Sequence, residues 1–219
     1  MTRYDQKFII PSESLDVILG YLQKSYHVLK VNESWLQEYE NHYYDTARLD
    51  LARDHLRGKR PRYKLRKRIY IDTEDCYWEM KCKVVGGQMV KKRIKASMNG
   101  AERFINGFEI PIGIEALRNS LKNNYFRASF YSLESNEKVT IDQSLKILQD
   151  NQWVDILEGF VVVEVKGMHF NESSFVQFLR SHSFRSIKFS KYCFGIGMLH
   201  TQFFPHKRKA VLHYLKSLK

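Results

Sequence analysis

The stretch Lys59-Arg60-Pro61-Arg62-Tyr63-Lys64-Leu65-Arg66-Lys67-Arg68-Ile69-Tyr70 has a basic residue at every second position. Successive side chains of a β-strand point to opposite faces of the sheet. The spacing therefore predicts a strand with one cationic face, formed by Arg60, Arg62, Lys64, Arg66 and Arg68. The opposite face is apolar apart from Lys67, and it contains Tyr63, Leu65, Ile69 and Ile71.

Two further alternating segments follow this strand. Residues 77–84 place Glu79, Lys81 and Lys83 on one face. Gly86-Gly87 predicts a hairpin turn, after which Lys91, Arg93 and Lys95 alternate with apolar residues. Because like charges repel across a sheet, so many cations on one face favour closure around a strongly anionic ligand. We expect these strands to line a barrel or tunnel, with their apolar faces outward under covering helices.

The composition indicates one folded domain with an anionic partner. The chain has 219 residues, a net charge of +12 and 43% hydrophobic residues, and no segment resembles a linker, so we expect a single domain over residues 1–219. The charge alone is compatible with nucleic acid, a polyphosphorylated small molecule or an acidic membrane surface as the partner. The three cysteines have no zinc-ligand spacing and no segment resembles a signal peptide or a membrane span, which favours a cytoplasmic protein.

The remaining elements follow from periodicity and capping residues. Strands are expected over residues 3–10, 35–44, 125–131, 138–142 and 160–166. Helices are expected over 11–26, from the Asp45-Thr46 cap to Arg57-Gly58, over 173–182 and over 206–219, with a broken helical pattern over 97–122. The last helix is basic and amphipathic, and packing on the barrel is favoured over a membrane surface. The predicted fold class is α+β, an antiparallel β-barrel or tunnel with a basic lumen surrounded by α-helices.

Few acidic residues fall on the cationic faces. Glu164 would lie in a cationic field, where it could hold a divalent metal ion that bridges phosphate oxygens. The alternative is an ion pair with Lys166 or with an opposing arginine. Glu79 could likewise pair with a facing arginine, and Asp142 is interpreted as a turn or pairing residue rather than a ligand. Tyr125 could serve only in packing.

The order of these motifs resembles the VTC domain, the polyphosphate polymerase module of the vacuolar transporter chaperone complex, within the CYTH-like triphosphate tunnel superfamily. The resemblance covers nearly the whole chain. Its motifs are Arg3-Tyr4-Asp5-x-Lys7, Tyr43-Tyr44-Asp45-Thr46, Asp54-His55-Leu56-Arg57-Gly58, Arg62 to Arg68, Glu79-Met80-Lys81-x-Lys83, Lys91-Lys92-Arg93, Tyr125-x-Arg127, Val139-Thr140-Ile141-Asp142, Val163-Glu164-Val165-Lys166 and Phe189-Ser190-Lys191-Tyr192.

The resemblance implies transfer of the terminal phosphate of ATP to inorganic polyphosphate, with Mn²⁺ or Mg²⁺ as the divalent metal ion. By position, the implied phosphate-binding residues are Lys7, Arg62 or Lys64, Arg66, Lys81, Lys91 or Arg93, Arg127, Lys188, Ser190 and Lys191. Those implied to bind the nucleotide are Arg66, Lys81, Arg127 and Lys191. The implied metal ligand is Glu164.

The chain also departs from this pattern. The hydrolytic branch of the superfamily begins with Glu-x-Glu-x-Lys, and Arg3 and Asp5 stand here at the two acidic positions. We therefore expect weaker activation of water and favour transfer over hydrolysis. The chain lacks the phosphate-sensing and transmembrane domains of the eukaryotic version, so a separate membrane protein could be a partner and hold it peripherally at the inner face of a membrane.

Two alternatives to a polymerase remain. One is a triphosphatase or cyclase of the same fold. The other is a non-catalytic module that binds polyphosphate or nucleic acid. Nucleic-acid readers commonly combine basic rows with exposed aromatic residues, and Tyr63 lies on the face opposite the arginines, so no specific nucleic acid is expected as a partner.

Overall fold

The computed structural model describes residues 4–96, 112–168, 173–202 and 205–218. Within these ranges ten strands form one sheet in which every pairing is antiparallel. The strands are β1 (Tyr4–Pro11), β2 (His27–Val28), β3 (Leu36–Asp45), β4 (Arg62–Tyr70), β5 (Asp75–Lys83), β6 (Met89–Lys95), β7 (Arg118–Ser132), β8 (Glu137–Gln149), β9 (Gln152–Asp155) and β10 (Phe160–Gly167). The described helices are α1 (Leu15–Ser25), α2 (Asp50–Arg57), α3 (Ser174–Ser181), α4 (Lys191–Leu199) and α5 (Pro205–Ser217).

The sheet is curled but not closed. Its main path runs β1-β10-β8-β7-β3-β4-β5-β6, and β2 and β9 pair at the side with β7 and β8. The two ends of the path, β1 and β6, are not paired with each other within the described residues. Nevertheless Lys7 of β1 and Lys91 of β6 line the same cavity. Strands at opposite ends of a sheet can share a cavity only if the sheet bends around it, so the predicted tunnel is confirmed as an open, curled sheet.

The outer face of the curled sheet is apolar and carries two helices. Ile18 and Leu22 of α1 are completely buried against the sheet, as are Phe175 and Leu179 of α3. Their partners in this layer are the outward residues of β1, β7, β8 and β10, including Val163. Each large aliphatic side chain removed from water in this way contributes about 1.5–3 kcal/mol. The expected apolar outer layer is therefore present on this half of the sheet.

The outer layer does not extend over β6. Val90 is 40% exposed and Ile94 is 37% exposed, although both were expected beneath a helix. The strand lies at the edge of the sheet, and the described helices pack elsewhere. The expectation that helices cover every apolar row is thus wrong for this strand.

Helices also enter the concave side of the sheet. Phe194 and Ile196 of α4 pack with Ile9 of β1, and Tyr192 stacks on Tyr43 with ring centroids 4.7 Å apart. Val211 and Leu215 place α5 in the same cluster, so packing of the C-terminal helix is confirmed. This apolar cluster fills one part of the concave side and leaves the cationic part open.

The structure bears on only part of the region 97–122, where a broken helical pattern was predicted. Residues 97–111 lie outside the described residues, as does Arg3. Residues 118–122 are strand rather than helix, because β7 pairs with β3 from Arg118 to Ala128. Long-range backbone pairing has overridden the local periodicity. The other expected strands and helices are present, with bounds that differ by up to seven residues, since β7 begins at Arg118 and β8 extends to Gln149.

Candidate active site: a cationic cavity inside the curled sheet

The cationic rows of six strands converge on a cavity of about 380 Å³, which we call the inner cavity. Its described lining includes eleven basic and two acidic residues. The basic residues are Lys7, Lys64, Arg66, Arg68, Lys81, Lys91, Lys92, Arg93, Arg127, Lys166 and Lys191; the acidic ones are Glu79 and Glu164. Concave walls of one sign strengthen the local potential, so this cavity favours a polyanion.

Glu79 fixes the arginines of β4. Arg66 donates to Glu79 Oε2 from Nε at 2.8 Å and from Nη2 at 2.5 Å, and Arg93 Nε lies 3.8 Å from Oε1. Burial by itself would raise the pKa of Glu79, but the charges of Arg66 and Arg68 outweigh it and hold the pKa at about 2. The pairing interpretation of Glu79 is therefore the one the structure supports.

The hydrogen bonds of the Arg68 guanidinium go to neutral side chains. Its Nε donates to Asn41 Oδ1 at 2.9 Å and its Nη2 donates to the Tyr125 hydroxyl at 3.1 Å. Asn41 in turn donates to Asn123 Oδ1 at 3.0 Å, so the guanidinium is anchored by two neighbouring strands, β3 and β7. Tyr125 thus has a polar role in addition to packing. Arg68 Nε also lies 4.0 Å from Glu79 Oε2, so this carboxylate compensates part of its positive charge.

Asp142 is buried behind the cavity wall and orients two basic residues that line the cavity. Its carboxylate is 1% exposed and accepts from Arg127 Nε at 2.5 Å and Arg127 Nη2 at 2.7 Å. Lys191 Nζ donates to the same carboxylate. Burial would raise the pKa of Asp142, but the charges of Arg127 and Lys191 outweigh it and hold the pKa at about 2. The prediction of a pairing residue is confirmed, and the pairing positions one residue from β7 and one from α4.

Glu164 forms ion pairs and has a second carboxylate beside it. Lys7 Nζ lies 3.1 Å from Glu164 Oε1, and Lys166 Nζ lies 2.7 Å from Oε2. Burial would raise the pKa of Glu164, but the two lysines outweigh it and lower the pKa well below its usual range. Burial and the charge of Glu164 together raise the pKa of the neighbouring Asp5.

The Glu164 and Asp5 pair fits a divalent metal ion whose other ligands are phosphate oxygens and water. Magnesium commonly takes only one or two protein carboxylates together with substrate phosphates. Among the described residues, no group of three or more His, Cys, Asp or Glu side chains is placed to hold a metal ion by itself. A cation at the two carboxylates would also relieve the repulsion that raises the pKa of Asp5.

Lys64 and Lys81 of the inner cavity form no ion pair among the described residues. The charge of Arg66, followed by burial and the charge of Arg68, lowers the pKa of Lys81 to about 6. Lys64 Nζ donates to Ser190 Oγ at 2.9 Å, and burial lowers its pKa as well. A bound anion would restore the charge of both lysines, because an adjacent negative charge favours the protonated form.

The structure brings together most of the residues that the sequence singled out. Lys7, Lys64, Arg66, Lys81, Lys91, Arg93, Arg127, Glu164, Ser190 and Lys191 all line the inner cavity. Arg62 and Lys188 do not line it. They lie instead at a larger adjoining cavity of about 810 Å³, which we call the outer cavity and which shares Lys7, Phe189 and Ser190 with the inner one.

Sequence reasoning did not select every residue of the inner cavity. Arg68 was assigned to the cationic face but not to the implied phosphate-binding set. Lys166 continues the alternation from Glu164, so the period of two could have identified it. Neither Tyr43 of the inner cavity nor Asp142, which pairs with two of its basic residues, had such a signal. Their position depends on the pairing of distant strands, since Tyr43 lies opposite Arg66 and Asp142 lies opposite Arg127.

These features define a triphosphate tunnel protein: an antiparallel sheet curled around a cationic bore, with a carboxylate pair on one wall. Comparison with family models matches the VTC domain over residues 2–123 and 112–200. The chain therefore belongs to the VTC domain family. No curated protein matches it.

Solved structures confirm the fold. A proposed adenylate cyclase from Bacillus halodurans aligns with a TM-score of 0.55 at 14% identity, covering 87% of this chain and 96% of that one. A proposed adenylyl cyclase from Hippeastrum, described as having a dominant triphosphatase activity, aligns with a TM-score of 0.56 at 15% identity, covering 87% of this chain and 93% of that one. Family and fold together support a triphosphate tunnel enzyme. No helix in the described part of the chain has the length and apolar character needed to cross a membrane.

Replacement of Asp142 by asparagine should destabilise the unliganded protein by about 3 kcal/mol, because Arg127 and Lys191 would lose a buried counter-charge. Tripolyphosphate should recover part of this loss, since its oxygens can supply negative charge to the same two cations. Urea unfolding with and without tripolyphosphate measures both effects. Asp16→Asn on the exposed side of α1 is the control and should change stability by less than about 1 kcal/mol. Equal effects of the two substitutions would contradict the assigned role of Asp142.

Binding of tripolyphosphate at about pH 8 should be accompanied by uptake of protons, and Lys81 should account for up to about one of them. The sign follows from its pKa: Lys81 is mostly neutral in the free protein above about pH 6 and becomes protonated when an anion raises that pKa. Isothermal titration calorimetry in buffers of different ionisation enthalpy measures the uptake. Lys81→Met should reduce the proton uptake, whereas Lys209→Met, at an exposed position of α5, should leave it unchanged. Equal uptake in Lys81→Met and the unmodified protein would show that Lys81 does not face the anion.

Proposed function

We propose that this protein is a metal-dependent polyphosphate polymerase that transfers the terminal phosphate of ATP to inorganic polyphosphate. The observation that carries the proposal is the inner cavity, where eleven basic residues outnumber two glutamates that are both already paired. The net positive charge matches a triphosphate and a polyphosphate end brought close together. Membership of the VTC domain family supports the same substrate class.

The proposed reaction is an in-line phosphoryl transfer. A terminal oxygen of polyphosphate forms a bond to the γ-phosphorus of ATP, while the bond from that phosphorus to the β–γ bridging oxygen breaks. ADP leaves with the electron pair of the broken bond, and the polyphosphate is longer by one phosphate. Catalysis of this kind depends mainly on positioning and on stabilising charge.

The chain's own residues would provide the positioning. Arg66 and Arg127 are held rigidly by Glu79 and Asp142, so their free guanidinium edges can bind phosphate oxygens without first being ordered. Lys81 and Lys191 would contribute compact positive charge, Lys191 while sharing the Asp142 carboxylate. Glu164, with Asp5 beside it, would hold Mn²⁺ or Mg²⁺, which would supply additional positive charge to the phosphates.

The acids of the inner cavity favour transfer over hydrolysis. A terminal phosphate oxygen is largely deprotonated near neutral pH and needs no base, whereas water must be activated. Glu79 has a pKa of about 2 and the pKa of Glu164 is also lowered, so both are weak bases. Asp5, with its raised pKa, is the acid best suited to activate water, and the Hippeastrum neighbour is described as a triphosphatase. Triphosphate hydrolysis is therefore the second candidate function.

Separate assays for ADP, free phosphate and long polyphosphate after incubation with ATP and Mn²⁺ distinguish the candidates. ADP with polymer is expected, free phosphate alone would favour hydrolysis, and no turnover would favour a binding module. Arg66→Ala and Lys191→Ala should each reduce synthesis by about 100-fold or more while the fold is kept. Arg118→Ala, on an exposed residue outside both cavities, is the control. Full synthesis by either cavity variant would refute its assignment.

The assignment of Glu164 as a metal ligand has its own test. Glu164→Gln should raise the Mn²⁺ or Mg²⁺ concentration needed for half-maximal synthesis by about 10-fold or more. Glu79→Gln is the matched control, because it removes the other glutamate of the inner cavity but leaves the Glu164 and Asp5 pair intact. It should lower the rate without shifting the metal titration. The same metal titration in Glu164→Gln and in the unmodified protein would exclude Glu164 as a ligand.

A further inference from the structure

The outer cavity adjoins the inner one and has its own basic lining. Five basic residues from separate parts of the chain face it: Arg60, Arg62, Lys83, Lys188 and Arg208. We propose that the outer cavity is a second polyanion subsite, which holds a stretch of inorganic polyphosphate while the inner cavity holds a triphosphate. The choice of polyphosphate as the anion rests on the proposed function, whereas the presence of a second anion subsite rests on the geometry below.

The charges of these five residues are not compensated within the described part of the chain. The one acidic residue that lines the outer cavity there is Asp5, which lies 3.4 Å from Lys7. None of the five forms an ion pair with a described carboxylate. Arg62 donates only to the carbonyl oxygens of Gly58 and Lys59, at 3.3 and 3.2 Å, which leaves its positive charge unneutralised. A cavity of this charge attracts an anion.

Two of the guanidinium groups are also incompletely hydrogen-bonded. The Nε atoms of Arg62 and Arg208 are buried, and neither has a hydrogen-bond partner among the described residues. Buried donors without partners are uncommon in folded proteins, because each loses its hydration without replacement. Both side chains line the outer cavity, where a phosphate chain could accept hydrogen bonds from the outer nitrogens of their guanidinium groups.

The two cavities adjoin each other. Lys7, Phe189 and Ser190 line both of them, and the hydrogen bond from Lys64 to Ser190 lies at their boundary. In the proposed arrangement a phosphate chain longer than the inner cavity would extend past Ser190 into the outer one. The basic residues would then contact the chain over a longer path than a triphosphate can reach.

The surface of the outer cavity suits phosphate better than the nucleoside part of ATP. Its two phenylalanines, Phe189 and Phe194, are only 6% and 5% exposed, because they pack in the core beneath the cavity. They offer little area for stacking a base. An uncharged nucleoside would also leave the basic side chains of the cavity unpaired.

Part of this subsite lies beyond the region that matches the family model. Arg208 belongs to α5, and the match ends at residue 200. Val211 and Leu215 hold α5 in the core, so the helix presents Arg208 to the cavity from a fixed position. The second subsite is therefore partly a feature of this chain's own C-terminal helix.

The test compares binding of tripolyphosphate with binding of long-chain polyphosphate to the full chain, without ATP or metal, by isothermal titration calorimetry. The double variant Lys83→Gln/Arg208→Gln should bind long polyphosphate about 10-fold more weakly, since each solvent-accessible charge contact contributes up to about fivefold. Its affinity for tripolyphosphate should stay within about twofold of the unmodified protein. Lys209→Gln, next to Arg208 but exposed and outside the cavity, is the matched control and should change neither affinity.

Three outcomes would overturn the inference. The double variant could keep the affinity of the unmodified protein for long polyphosphate, it could lose affinity equally for both ligands, or Lys209→Gln could lose as much affinity for long polyphosphate as the double variant does. In a separate titration with ATP as the ligand, a loss confined to ATP would assign the cavity to the nucleoside. Should circular dichroism show that the double variant is unfolded, Lys83→Gln alone decides, with an expected loss of about threefold for the long chain only. Because no turnover is measured, a protein that fails to make polymer but shows this difference would refute the proposed function and leave the second subsite standing.

Discussion

The structure depends on the balance of charge inside the curled sheet. Cations this close together repel strongly at low dielectric. Two buried carboxylates reduce the repulsion at its centre: Glu79 pairs with Arg66, and Asp142 pairs with Arg127 and Lys191. Each carboxylate also fixes the direction of its partners, which long basic side chains would not keep in water. The remaining excess of positive charge is what a phosphate chain would neutralise, so stability without ligand and affinity for ligand are set by the same groups.

The curl of the sheet makes this concentration of charge possible. The strands β1 and β6 lie at opposite ends of the eight-strand path, yet both contribute lysines to the inner cavity. The curl is supported from both sides, by α1 and α3 on the outer face and by α4 on the concave face. Asp45 links these layers, since it accepts hydrogen bonds from the backbone of Leu51 and Ala52 at the start of α2 and from the hydroxyl of Tyr192 in α4. Packing of α4 thereby also places Ser190 and Lys191 at the cavity.

Under the proposed function, the division into two cavities would separate two tasks of polymerisation. The smaller inner cavity would hold the reacting phosphates, whereas the larger outer cavity would hold a chain without fixing its register. Ser190 lies at the boundary, where it accepts from Lys64 and also caps α4 by accepting from the backbone nitrogen of Cys193. Its position is therefore set by the start of a helix rather than by a loop.

The amino-acid sequence by itself determined the strands, the helices and the cationic rows, because the side-chain period of a strand is local: Arg66 and Lys81 could be assigned to inward faces from spacing alone. It also contained the motifs that identify the family. Only the tertiary structure decided which rows meet. It separated Lys64, in the inner cavity, from Arg62, in the outer one, and it brought Asp142 to Lys191 across 49 positions of the chain. It also turned residues 118–122 into strand and left the apolar row of β6 exposed. Those outcomes depend on strand order, curl and helix docking, which arise from contacts between distant residues and leave no periodic signal in the sequence.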